Sequence, residues 1–192
     1  MEQKGFHAFT YKYHVKASQL TTKVEVSEPF EPQTTTQLPP MKEAVAIWDT
    51  GATGSVITRT LAEQLNLKPI SIQRVRGVTG EQDKNVYLVN MRLPNNVGLC
   101  FVRVTECEDI LGNASVLIGM DIISMGDFSV TSVNDQTVLS FRIPSIKEVD
   151  YVVEANKINE QLNNHHGNES KSDIRARRKQ ERRNKKKARK HK

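Results

Sequence analysis

Apolar and polar residues fall into short alternating or clustered runs along most of the chain, and turn-forming residues interrupt them at close intervals. Phe6, Ala8, Tyr11, Tyr13 and Val15 lie near alternation, and Val24 and Val26 form a second alternating run. This predicts one or two strands, followed by a turn-rich linker, PFEPQTTTQLPP, ending at Pro39-Pro40. EAVAIW reads as a short, wholly apolar strand of the kind buried on both faces. TRTLAEQLNL reads as a short helix. Leu61 and Leu65 fall one turn apart on a face, and Thr60 with Glu63 fits a capping box. ISIQRVRGV, KNVYLVNMRLP and GLCFVRVTE then read as strands, and FSVTSV and TVLSFRIP flank a turn at Asn134-Asp135. Many short strands at close spacing predict a mainly β domain with one or two short helices.

The 192 residues suffice for one domain with a small appendage. Three parts are expected: a strand-like extension and linker over 1–40, the main domain over 41–145, and a polar, then basic tail over 146–192. The tail is too poor in apolar residues to offset its ordering entropy, so disorder is expected there. Charge follows the same division. Residues 171–192 hold 13 Lys or Arg against Asp173 and Glu181, whereas the other 170 residues carry 15 basic and 20 acidic side chains. An acidic body thus bears a basic tail, which suits either solubility or salt-sensitive contact with nucleic acid or an acidic protein. The tail has no aromatic side chain for base stacking and few apolar ones for a membrane-surface helix.

Several function classes are excluded. The longest apolar run, Ala44 to Trp48, is five residues, against roughly 20 for a membrane-spanning helix. The first residues lack the apolar stretch of a secretory signal. Two cysteines, Cys100 and Cys107, make neither a disulfide scaffold nor a thiolate zinc site, and a reducing, cytoplasmic setting is expected. Cys100 is expected to pack within its strand, and Cys107 to be a surface or loop thiol. The histidines have no metal-ligand spacing, neither cysteine has a histidine partner in the sequence, and no glycine pattern cradles a phosphate. No metal and no cofactor are expected.

The chemistry concentrates in Asp49-Thr50-Gly51-Ala52-Thr53-Gly54-Ser55, directly after the apolar strand. A carboxylate at the end of a buried strand is costly unless it is hydrogen-bonded, shared or used. Gly51 and Gly54 permit a tight loop around it, and Thr50 and Thr53 supply hydroxyls. About 70 residues later a second apolar run ends in glycine, Val116-Leu117-Ile118-Gly119, followed by Met120-Asp121. The tripeptide alone would be an ordinary turn. IWDTGAT together with VLIGMD resembles the retropepsin-like aspartic peptidases, over about 100 residues from Glu43 to Pro144, and is nearer to single-domain bacterial and cellular members than to retroviral ones.

The resemblance implies a closed β-barrel of the acid-protease half type, assembled as a homodimer, that hydrolyses peptide bonds in a peptide or protein substrate. Asp49 would be the catalytic aspartate. Thr50 would brace the two catalytic loops across the dimer, Gly51 and Ala52 would complete the loop, and Gly119 would pack behind it. The flap would be the segment from Arg76 to Glu81, with Gly77, Val78, Thr79 and Gly80 at its centre. The chain has one Asp-Thr-Gly, so the second carboxylate must come from a second copy across a two-fold axis. Asp121 is expected to cap a short helix, and Asp127 to sit at a turn. Trp48 is expected to pack in the core or an interface. The alternative is a dimeric peptide-binding or nucleic-acid-tethered adaptor with little turnover. A further possibility is a latent enzyme whose N-terminal segment fills its own cleft.

Overall fold

The computed structural model describes residues 5–77, 80–167 and 175–182. It contains two compact units, Met1–Lys147 and Glu148–Lys192. The first is almost entirely β. Its strands are β1 (His7–Lys12), β2 (Thr21–Ser27), β3 (Lys42–Trp48), β4 (Val56–Thr58), β5 (Ser71–Gly77), β6 (Gly80–Leu93), β7 (Val97–Cys107), β8 (Val116–Ile118), β9 (Asp127–Val133) and β10 (Gln136–Ile143). Two short helices, α1 (Arg59–Gln64) and α2 (Met120–Ile123), interrupt them.

Six strands close into a barrel. The order β2-β3-β8-β4-β7-β6 is completed by a β2–β6 pairing, and β5 extends outward from β6. The alternation read near Val24 and Val26 therefore belongs to a barrel strand. Val24 and Val26 are buried, and the β2 backbone bonds to β3 on one side and β6 on the other. Closure removes the free edges that an open sheet would expose. A separate three-stranded sheet, β1-β10-β9, packs against the barrel through an aromatic cluster. Trp48 lies 5.7 Å from Phe9, 5.2 Å from Phe141 and 5.8 Å from Phe128, centroid to centroid. Its indole Nε1–H donates to Thr22 Oγ1 at 3.0 Å, so the polar end of the ring is satisfied within the core.

The turn chemistry follows the sequence at β9–β10. Asn134 and Asp135 both have positive φ, and Val133 pairs with Gln136, the signature of a two-residue primed turn. Other expectations need correction. β3 buries Ala44, Ala46 and Trp48, while Val45 and Ile47 are only half-buried. It is therefore a barrel strand with one core face, not one buried on both. The cap of α1 is Thr58, whose Oγ1 accepts from Leu61 N at 3.3 Å, two residues before the expected Thr60. Cys100 is exposed, because the alternation of β7 sends Leu99 inward and its neighbour out. Cys107 is half-buried at the end of β7, where burial pushes its thiol up to about 11.

The second unit contains α3 (Tyr151–Gly167), where the sequence composition predicts disorder. Asp150 explains its start. The Oδ1 of that residue accepts from Val152 N at 2.8 Å and from Val153 N at 3.2 Å, an N-cap that satisfies two first-turn donors. Residues 175–182 are also helical, with exposed side chains. No helix among the described residues is long and apolar enough to cross a membrane.

Candidate active site

Strand pairing builds the site. β3 and β8 run parallel, with Trp48 opposite Ile118, so Asp49 and Gly119 leave the barrel side by side. β4 runs antiparallel to β8 with Val56 opposite Leu117. The loop 49–55 must therefore wrap around the end of β8 to enter β4. Both halves of the sequence pattern, separated by about 70 residues, meet at this point.

Hydrogen bonds fix the loop from behind. Asp49 N donates to Ile118 O at 2.9 Å, Met120 N to Ala52 O at 2.8 Å, and Asp121 N to Thr53 O at 3.2 Å. Within the loop Gly51 N donates to Asp49 Oδ1 at 2.8 Å, which orients the carboxylate. Space requires the glycine at 119 and is tight at 51. A Cβ on Gly119 would lie 2.7 Å from both the carbonyl carbon and oxygen of Gly54 and 3.0 Å from Ala52 O. A Cβ on Gly51 would crowd Asp49 Oδ1 at 3.1 Å. Asp49 is half-buried and Thr50 exposed.

Two residues hold this arrangement that the sequence reading did not assign to it. Ser55, fully buried, donates its Oγ–H to Asp121 Oδ1 at 2.8 Å and its backbone N–H to Asp121 Oδ2 at 3.0 Å. Its Oγ also accepts from Gly119 N at 3.1 Å. Asp121 Oδ1 also accepts from Ile122 N at 3.0 Å, so the carboxylate serves the start of α2, as expected, though from the first turn and not from the cap position. Gly119 occupies the cap position and Asp121 stands in the first turn, so its side chain reaches across to Ser55. The signal was present in the small, hydroxyl-bearing ATGS run, but only the strand pairing shows which carboxylate it meets. Asp127 is no turn residue. It opens β9 and pairs with Arg142 directly opposite. Bonds from Ser145, Arg142 and Ile146 N hold its carboxyl well below the usual range.

A cavity of about 590 Å³ lies between the loop residues 51–54 and the β5–β6 hairpin. The hairpin pairs continuously from Ser71 opposite Val86 to Gly77 opposite Gly80. Gly77 and Gly80 thus face each other across it, with Gly80 at φ +107°. Val78 and Thr79, also expected in the flap, lie outside the described residues. The far wall carries Glu106, which is buried. It accepts from Tyr87 Oη at 2.6 Å, Asn85 Nδ2 at 3.2 Å and Arg59 Nε at 3.0 Å. Burial pushes the Glu106 carboxyl up, but these donors outweigh it and the group sits below its ordinary value. Residues of the segment 5–40 do not line this cavity. Among the described residues, no group of three His, Cys, Asp or Glu is placed to hold a metal ion.

Residues 41–122 match the aspartyl protease family model, a span that includes both Asp49 and Gly119. Over this span the chain is similar to the retropepsin-like aspartic proteases. No curated protein matches it significantly. Solved structures with a similar course include a retropepsin-like aspartic protease from Rickettsia conorii, 11% identical with a TM-score of 0.46, covering 74% of this chain and 99% of that one. Others are the EIAV protease, at 17% identity and a TM-score of 0.40 over 55% of this chain and 86% of that one, and the retroviral protease-like domain of Ddi1 from Leishmania major, at 15% and 0.36 over 67% and 95%.

Proposed function

We infer that the protein is an aspartic endopeptidase whose active site forms between two copies of the chain. The observation that carries this reading is the buttressed loop: Asp49 ends a core strand, takes a hydrogen bond from Gly51 N, and is locked in place through 118–121 beside an open cleft. The family match over 41–122 supports the same reading.

A single carboxylate cannot act as base and acid in one step. Two of them about 3 Å apart resist double ionisation and share a proton, and their titration belongs to the pair. One Asp49 would take a proton from water as its oxygen attacks the peptide carbonyl carbon, while the partner copy's Asp49 gives its proton to the carbonyl oxygen. Collapse of the tetrahedral diol then breaks the C–N bond, and the leaving nitrogen takes up a proton. The exposed Thr50 hydroxyl would bridge the two loops, and the β5–β6 hairpin would close over an extended substrate and exclude water. No cofactor or metal enters this scheme. The basic run near the end of the chain gains no support as a nucleic-acid site.

Sedimentation across a dilution series, run beside peptide hydrolysis, tests the dimer. Specific activity should track the dimer fraction, and full activity in a form that sediments as a monomer would overturn this reading.

A further inference from the structure

The roof of the cleft is polar. Strand alternation selects which hairpin residues face the loop. On β6 these include Gln82 and Lys84. The register places Val75 opposite Gln82 and Gln73 opposite Lys84, and both β5 residues line the same cavity. Val75 is the one apolar member of this set. Seating an apolar side chain here would strip water from two amides and an ammonium without replacing their hydrogen bonds.

The charges on the walls are not equally committed. Glu106 has donors on both oxygens, and its charge is answered by Arg59; Arg74, which also borders the cavity, is paired with Asp83 Oδ1 at 3.1 Å. Lys84 is different. Its side chain is 17% exposed, and its ion pair among the described residues is to Glu108 Oε1 at 3.5 Å. That same oxygen is held more closely by Arg59 Nη2 at 2.5 Å. An ammonium has three donors, so Lys84 presents a largely buried cation with hydrogen-bonding capacity to spare. The neighbouring amides of Gln73 and Gln82 add further donors on the same face.

We propose that this cleft selects an acidic side chain, Asp or Glu, in an extended peptide, with Lys84 as the specificity-determining residue. The proposal rests on the peptidase reading of the same cleft for its peptide ligand. It departs from the apolar preference that the resemblance alone would suggest. A carboxylate suits this face because it accepts hydrogen bonds from an ammonium and from amides alike, and charge-assisted bonds are the stronger kind.

The test is binding to the full-length Asp49→Asn variant, which holds peptide without turning it over. The probes are short fluorescent peptides in which one residue, Glu, Gln, Leu or Lys, is scanned through an otherwise Thr/Ala sequence. At one position Glu should bind about tenfold more tightly than Gln or Leu, and Lys most weakly. Adding Lys84→Met should abolish that advantage, and Lys84→Arg should retain it. Lys84→Gln serves should the Met variant fail to fold, as judged by circular dichroism. Equal binding of all four probes, a preference for Leu, no binding at all, or a Glu preference that survives loss of Lys84 would each overturn the proposal. Cleavage by the wild-type chain is scored separately. Acid-selective binding without cleavage would discard the peptidase reading alone, and cleavage without acidic selection would discard this one alone.

Discussion

Asp121 holds Ser55 by two hydrogen bonds, 2.8 Å to the hydroxyl and 3.0 Å to the backbone N–H, and Ser55 passes the restraint on to Gly119. Ser55→Ala leaves the Gly119 N–H without its partner inside the protein. The expected cost is about 1–3 kcal/mol of stability, read from urea denaturation. Peptide hydrolysis should fall by about tenfold or more, because loop placement governs the geometry of attack. Asp121→Asn should weaken both properties less, since its carbonyl oxygen still accepts one bond. Unchanged stability and activity in both variants would remove this buttress from the account.

Gly119→Ala is the sharper steric test. Its new methyl group would start 2.7 Å from the Gly54 carbonyl, and backbone cannot yield as a flexible side chain can. Overpacking of this kind costs about 1–3 kcal/mol. Activity should be lost even under conditions where circular dichroism shows a folded chain. A fully active Gly119→Ala variant would show that the loop has more room than the geometry allows.

The Tyr87–Glu106 bond should set both limbs of a stability profile. Burial, helped by the bond to Glu106, pushes the Tyr87 phenol from 10.0 up to about 12. A raised value in the fold means a contribution that is complete below pH 10 and lost as pH rises through about 12. For Glu106, burial pushes the carboxyl up, and the bonds from Tyr87, Asn85 and Arg59 bring it below its ordinary 4.5. Its contribution is present above that value and disappears as pH falls through the lowered one. Denaturation measured across pH should show Tyr87→Phe removing part of the alkaline limb and Glu106→Gln part of the acid limb. Limbs identical to wild type in either variant would contradict the assignment.

Deleting residues 1–40 should unfold the first unit and release no latent activity. β2 supplies two of the barrel's six pairings and the buried Val24 and Val26, and Phe9 of β1 packs on Trp48. The truncated chain is expected to be insoluble or to lack a cooperative thermal transition. A soluble, cooperatively folding, more active truncation would restore the idea of a cleft-filling segment.

Much of this was legible in the residues, for identifiable reasons. The apolar run ending at Trp48 and the run ending at Ile118 each stop at a loop residue, so Asp49 and Gly119 stood out before their parallel pairing was known. Strand-like runs separated by turn residues located β5, β6, β7, β9 and β10. The sequence could not show that β2 closes the barrel, because that depends on pairing with β6, more than 60 residues away. Nor could it show that Asp121 serves Ser55. A helix-start carboxylate looks the same whether it bonds only within its own helix or also reaches across to another loop, as Asp121 does. Lys84 was silent for a similar reason, since its partners and the cavity it faces are set by the hairpin register.

The central claim is that Asp49 performs peptide hydrolysis. The most direct measurement is cleavage of a diverse peptide pool, read by mass spectrometry, with wild type and Asp49→Asn compared from acidic to neutral pH as verified dimers. The substitution nearly preserves shape while removing the shared charge and proton. The account predicts new termini with the wild type and none with the variant. Equal cleavage by both would contradict it and place the catalyst elsewhere.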